Sequence, residues 1–476
     1  MTDPANTSAF PHASADANRQ SVIPIILMTL LAVFVISAPN LIDPMIRFDD
    51  YPAFFADPTG YWVKTKDEGR WLNYWWHLRG VTTPAWLNFA AYEMLWALFA
   101  AFFAIAALGK THASAWFATV LALLILIAPP ATLISVWFNT LLPGLALVAL
   151  YAGLSLKLSR RMHRALLVPF TVLTFMAYTT YPLLLLAVAV ACNQRRSLSD
   201  LIGLLALFTA SFVLAVLCVY TLNLSAHGVF GVPVAEWRNA TPATDMASLV
   251  ANLPLVAQSF SDFMFRSSFD FTPTVYFHLG FLVLGTLVLA RHAPCEALYL
   301  HAGLVTGLTL IVVQNLKMGL IVPPRAFLFA WVLYAVLIAR AAQILTAHSG
   351  FAGRMARNAV LLIIGSYMLQ TAKQYYSYRD WQAYTRDLGE TVQTIDAPMA
   401  ISGDIRTLPT ARKAFIQDNR ALSFRLRQLT GKLIPLCDSG QSQCCLESPK
   451  GSAAGTDCPT ILRAVTQNGT TRIIFD

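Results

Sequence analysis

The stretch Val22-Ile-Pro-Ile-Ile-Leu-Met-Thr-Leu-Leu-Ala-Val-Phe-Val-Ile-Ser-Ala-Pro-Asn-Leu-Ile42 contains no charged residue. About 20 apolar residues, rising 1.5 Å each in a helix, are enough to cross the hydrocarbon core of a bilayer. The run is too long for a signal peptide and lacks a small-residue cleavage site at its end, so it reads as a retained anchor. Comparable runs recur at roughly 86–108, 113–128, 132–156, 165–178, 180–192, 201–224, 273–290, 294–315, 326–345 and 358–374. Of the 476 residues, 56% are hydrophobic and 12% charged. That is about half the charge of an ordinary soluble domain. The chain reads as an all-α polytopic membrane protein with about eleven transmembrane helices.

A net charge of +9 can point to nucleic acid, but the placement of these charges argues against it. Lys157, Arg160, Arg161 and Arg164 share one short connection, and Lys110, Arg195, Arg196, Arg291, Arg354 and Arg357 lie in others on the same side. Basic residues in short loops mark the cytoplasmic face. On this scheme the N-terminus is inside and eleven crossings put the C-terminus outside. The scheme requires residues 165–192 to form two half-spans broken near Tyr181-Pro182, since one span would separate two basic loops. Non-helical backbone at membrane depth needs a cavity or protein around it. The turn at Tyr178-Thr179-Thr180-Tyr181 is therefore expected to line the working cavity.

The chain divides into a polar leader at 1–20, a membrane domain at 21–374 and a polar tail at 375–476. Three external loops are expected at 43–85, 225–272 and 317–325. Helices at 381–395 and 409–429, a strand at 399–401 and a hairpin around Asn468-Gly469 make the tail a small α+β unit. Its four cysteines, Cys437, Cys444, Cys445 and Cys458, suit disulfides outside the cytoplasm, with three pairings open; metal ligation is the alternative.

Just past the anchor comes Asp49-Asp50, and twenty residues later Gly69-Arg70-Trp71-Leu72-Asn73-Tyr74-Trp75-Trp76. Trp71, Trp75 and Leu78 recur at helical spacing, as expected of a helix in the membrane interface, with Asn73 and His77 on a different face. Glycosyl transfer from a lipid phosphate needs a base for the acceptor hydroxyl and cations for the leaving phosphate. Asp49 or Asp50 suits the first task. Arg70, Arg79 and Arg325 suit the second through bidentate contacts, and Lys317 as a point charge. Trp71, Tyr181 and Glu93 are candidates for the substrate cavity. Glu93 lies within a span, where a carboxylate is either functional or paired to a neighbouring helix. His278 and His301 read as packing or hydrogen-bonding residues. Two adjacent carboxylates can bind a divalent cation, although a monophosphate leaving group does not require one.

Asp49-Asp50 followed by Gly69-Arg70-Trp71 resembles the start of the bacterial O-antigen glucosyltransferases, a family of the GT-C class. Tyr178-Thr179-Thr180-Tyr181 is similar to a second family feature, a tyrosine-bearing turn, and Pro324-Arg325 to a third. The resemblance covers residues 22 to about 374. It implies a GT-C-like fold in the bacterial inner membrane, where the tail that the topology puts outside would be a periplasmic domain. It also implies an undecaprenyl-phosphate-linked glucose donor, an external glycan acceptor and no nucleotide sugar. Asp49 or Asp50 would be the base, with Arg70 in the same site. The rivals are a transporter or flippase for a lipid-linked glycan, and a non-catalytic assembly subunit.

Overall fold

The computed structural model describes residues 15–108, 112–193, 196–235, 238–266, 272–397, 399–437, 463–467 and 470–475. Every apolar run becomes a helix, and the architecture is that of a predominantly helical membrane protein. Among the described residues, seven helices are long and apolar enough to cross a membrane: Val22–Leu41, Ala85–Leu108, Pro129–Leu154, Leu198–His227, Thr274–His292, Pro294–Met318 and Pro324–His348. That is fewer than the eleven expected. Ala115–Leu126 and Tyr181–Ala191 are apolar but short. Arg160–Ala177 opens on three arginines, and Gly350–Ser377 carries Arg354, Arg357 and Lys373.

Ala85–Leu108 packs between the first helix and Phe138–Leu154. Ala97, Ala100, Ala101 and Ala104 are buried there, and such small residues let helix backbones approach closely. Tyr181–Ala191 is buried at every position, and Leu328–His348 at most of its positions. At the periphery, Ile202, Leu217, Phe277, Leu284 and Leu287 stay exposed, which is the surface a helix presents to lipid rather than to water.

The expected break is present. Arg160–Ala177 stops at Tyr178, whose backbone is extended, and the chain restarts at Tyr181 with Pro182 in the first turn. A proline there gives up an N–H that has no helical partner anyway. Both basic connections consequently reach one end of the bundle. Asp200 binds Arg164 at 2.7 Å and also pairs with Arg160. Nearby, Glu296 holds Arg196 at 3.0 Å and Arg340 at 3.1 Å. The 30-residue helix Leu198–His227 runs from this end to the opposite one, about 45 Å away at 1.5 Å per residue. There Asn223 accepts from Trp71 Nε1 at 2.8 Å and His227 meets Thr65 at 2.7 Å.

At that opposite end the second and third long loops are tied together. Thr241 N donates to Gly319 O at 3.0 Å, and Ala243 N to Lys317 O at 2.9 Å. Gly319 has φ +58°, and a Cβ there would collide with the Thr241 carbonyl. Only glycine satisfies both constraints. Gly319→Ala is expected to destabilise the protein by roughly 2 kcal/mol or more, read as a fall in the thermal midpoint in detergent. An unchanged midpoint would show that the two loops are not locked together.

In the tail, the helix expected over 409–429 is split in two. Helices Arg379–Gln393, Pro409–Lys413 and Arg420–Thr430 accompany a sheet of strands β1 (Met399–Gly403), β2 (Leu436–Cys437), β3 (Arg463–Gln467) and β4 (Thr470–Phe475). The strand order is β2-β1-β4-β3, with β1 parallel to both neighbours and β3 antiparallel to β4. Asn468-Gly469, Cys444, Cys445 and Cys458 lie outside the described residues. The unit is not free-standing, since Trp381, Leu388, Leu422, Leu426 and Ile473 belong to the same buried cluster as the membrane helices.

Candidate active site

The first helix ends at Leu41, where Asn40 Oδ1 accepts from Met45 N at 2.8 Å and the chain becomes extended. Asp43 is clamped by the tail: Arg425 donates to it at 2.5 Å and Arg386 at 2.9 Å. Arg47 then donates its N–H to Val136 O at 3.1 Å and its guanidinium to Phe415 O at 2.6 Å. Held at both ends, residues 48–50 form one 3-10 turn. Consecutive residues of such a tight turn point in different directions, and the two aspartates diverge.

Asp50 turns inward and is fully buried. Its Oδ2 accepts from Asn139 N at 3.1 Å and Asn139 Nδ2 at 2.9 Å, and its Oδ1 from Thr140 N at 2.8 Å. These are first-turn amides of Phe138–Leu154, so Asp50 caps that helix and meets the positive end of its dipole. Burial pushes the Asp50 carboxyl up to about 6, with Thr140, Asn139 and the more distant Lys64 opposing. Asp49 is only half-buried and faces the site. Its Oδ1 accepts from Trp137 Nε1 at 2.7 Å, and its backbone carbonyl accepts from Lys64 Nζ.

Trp137 is the floor of a cationic nest. The Arg325 guanidinium lies 4.3 Å and that of Arg47 5.4 Å from its ring centre. Arg70 comes from the other side. Its helix, Pro58–Glu68, ends at Gly69 with φ +70°, where a Cβ would stand 2.8 Å from Val219. This left-handed cap turns Arg70 back onto Glu68 at 2.5 Å, with its guanidinium 5.6 Å from the Tyr178 ring. Burial alone would raise the Glu68 carboxyl, but Arg70, Lys64, Arg238 and Arg325 outweigh it and hold the group below its ordinary value. Burial pulls the Lys64 ammonium down, and Arg70 adds to this. Five cations (Arg47, Lys64, Arg70, Arg238, Arg325) thus converge with two carboxylates, Asp49 and Glu68. The nest has more positive charge than its own acids neutralise, as an anion-binding site requires. No protein-family model and no curated protein matches this chain. The geometry itself carries the functional reading.

Of the sequence candidates, Asp49, Arg70 and Arg325 are brought together. Arg79 is not: it is exposed and lies 4.1 Å from the Trp76 ring centre. Lys317 is also apart, its ammonium donating to Ala243 O at 2.8 Å in the tie between the other two loops. Trp71 is a core residue rather than a cavity wall, packed with Phe175, Met176, Ala215 and Val219. Tyr181 is buried as well, and Tyr178 is the ring of that turn that meets Arg70. Glu93 sits deeper, its Oε1 3.0 Å from the Tyr375 hydroxyl, which also lies 3.1 Å from Ser135 Oγ. A helix is present at Trp71–His77, with Asn73 and His77 facing inward and Trp75, Trp76 and Leu78 exposed. His77 stacks on Tyr61, and burial drops its imidazole to about 3, so it is neutral there. Both oxygens of Asp50 are taken by N–H donors, so the aspartate pair does not offer two carboxylates to one cation. Among the described residues no group of three His, Cys, Asp or Glu side chains is placed to hold a metal.

Sequence reading missed Trp137, Arg47, Lys64, Glu68 and Arg238 as members of the site. Lys64 and Glu68 stand four apart, a spacing that puts both on one helical face. Nothing local marks Trp137, which is 88 residues from its partner Asp49. Beside the nest, Val232, Val234, Asn239, Ala240, Pro242 and Met318 line a hollow of about 540 Å³ that is more apolar than polar. Val232 also borders the Gly69 turn.

Proposed function

We propose that the protein is a membrane glycosyltransferase that moves a hexose, glucose first among candidates, from a polyprenyl-phosphate donor to a surface glycan such as an O-antigen. The observation that supports this best is Asp49, exposed to the site and held by Trp137, next to Arg325, Arg47, Lys64 and Arg70. An acceptor hydroxyl gives its proton to Asp49 as its oxygen bonds to the sugar C1. The C1–O bond to phosphate breaks, and the departing polyprenyl phosphate takes the electron pair and settles among the cations. Arginine suits this leaving group through paired N–H contacts that strengthen as charge develops. The hollow beside Arg238 suits the first isoprene units of the donor. The basic connections gathered at the far end of the bundle support a cytoplasmic location for that end. The site and tail would then face the periplasm of an inner membrane.

The test is a transfer assay in detergent with synthetic undecaprenyl-phosphate-glucose and bacterial O-polysaccharide, with and without a chelator. Movement of the glycolipid across vesicles without glucose transfer would favour the transporter reading. Within the transferase reading, Arg325→Gln is expected to raise the donor KM about tenfold or more, the usual worth of a hydrogen bond to a charged group. Arg79→Gln and Lys317→Gln should leave it within about twofold. Equal effects at all three positions would refute the assignment of the nest to the donor phosphate.

A further inference from the structure

Phe415 occupies a backbone position that normally belongs to glycine. The short helix Pro409–Lys413 is closed by Ile416 N donating to Ala411 O at 2.9 Å and Phe415 N to Arg412 O at 3.1 Å. This pairing is a Schellman cap, whose turning residue is left-handed and usually Gly. Phe415 adopts φ +55° there, and for a bulky residue that conformation is an outlier. The strain is not compensated by packing. Ala414 and Ile416 on either side are buried, at 1% and 7%, while Phe415 is 60% exposed. Strained, exposed residues held by an otherwise ordered frame cluster at ligand contacts.

The backbone of Phe415 links this residue to the site. The Phe415 carbonyl accepts from Arg47, and Arg47 lies over Trp137, the residue bonded to Asp49. Its surroundings are polar rather than lipid-like. Arg412, Lys413 and Gln417 are exposed beside it, and Lys413 pairs with Asp380 at 2.6 Å. An exposed aromatic ring in a polar stretch of chain suits the apolar C–H face of a sugar ring with its equatorial hydroxyls. We infer that Phe415 is a stacking platform for a pyranose of the acceptor glycan, presented by the C-terminal unit at the mouth of the Asp49 site. The choice of a glycan as occupant rests on the glycosyl-transfer reading.

Two variants of the full-length protein separate binding from folding. Phe415→Gly removes the ring, relieves the left-handed strain and keeps the carbonyl bonded to Arg47. Phe415→Trp keeps an aromatic face. Binding is read by saturation-transfer NMR with bacterial O-polysaccharide and no donor present. Wild type and Phe415→Trp should contact the sugar, and Phe415→Gly should bind about tenfold more weakly with a melting temperature no lower than wild type. Equal binding by Phe415→Gly, no binding by wild type, or a lower melting temperature for Phe415→Gly overturns the assignment. If binding follows expectation but no glucose leaves the polyprenyl phosphate, the platform stands and the transfer reading falls.

Discussion

Replacing Asp49 by asparagine is expected to lower transfer by about 10²–10⁴-fold, the usual contribution of a positioned general base. The amount of protein in the membrane should not change. Asparagine matches the carboxylate in shape and keeps an oxygen for Trp137 Nε1, which now lies 2.7 Å from Asp49 Oδ1. What it loses is the capacity to take a proton. The comparison is clean because Asp49 is half-buried at the rim and caps no helix. Transfer at the wild-type rate by Asp49→Asn would remove the base from the mechanism.

Asp50→Ala should do the opposite and act on folding. It strands three buried N–H groups, those of Asn139 N, Asn139 Nδ2 and Thr140 N. Unpaired buried donors cost about 1–3 kcal/mol each, and costs within one network are not additive. A loss on the order of 3–5 kcal/mol is expected, seen as low membrane levels and a depressed thermal midpoint. Normal levels for Asp50→Ala would contradict the capping role. The charge also leaves a pH signature. Burial raises the folded-state value to about 6, above the roughly 3.9 of an unfolded chain. The folded protein therefore binds this proton more tightly than the unfolded one. Asp50's contribution to stability falls as pH rises from about 4 to about 6 and levels off above that range. In Asp50→Asn this part of the slope should vanish, which thermal unfolding across that range will reveal.

Much of the helical plan was legible because it depends on local composition. The anchor at 22–42, the Pro182 break and the tail hairpin follow from apolar runs, a proline and β-branched residues. Seven helices are long and apolar enough to span, against eleven expected, and charges set apart Arg160–Ala177 and Gly350–Ser377. For the site, charge and spacing identified Asp49, Arg70 and Arg325, which do converge. They could not separate Asp49 from Asp50, because that depends on Asn139 and Thr140 some 90 residues on. Nor could they demote Arg79 and Lys317, whose partners Trp76 and Ala243 are matters of loop geometry. Trp71 looked like an interfacial ring, yet Asn223, on the far end of a long helix, draws its indole into the core.

The clamp between the tail and the first loop sets the order in which the protein becomes competent. Asp43 and Arg425 lie 382 residues apart, and Arg47 and Phe415 lie 368 apart. The segment bearing Asp49 is synthesised some 370 residues before Phe415 and Arg425, the tail residues that hold it. The bundle can insert helix by helix while the nest around Trp137 is still open on one side. A chain that stops before residue 420 keeps its membrane helices but lacks the Arg420–Thr430 helix that holds Asp43 and packs Phe424 on Tyr51. Closure of the site thus waits on the 415–425 region, an order of assembly written into connectivity.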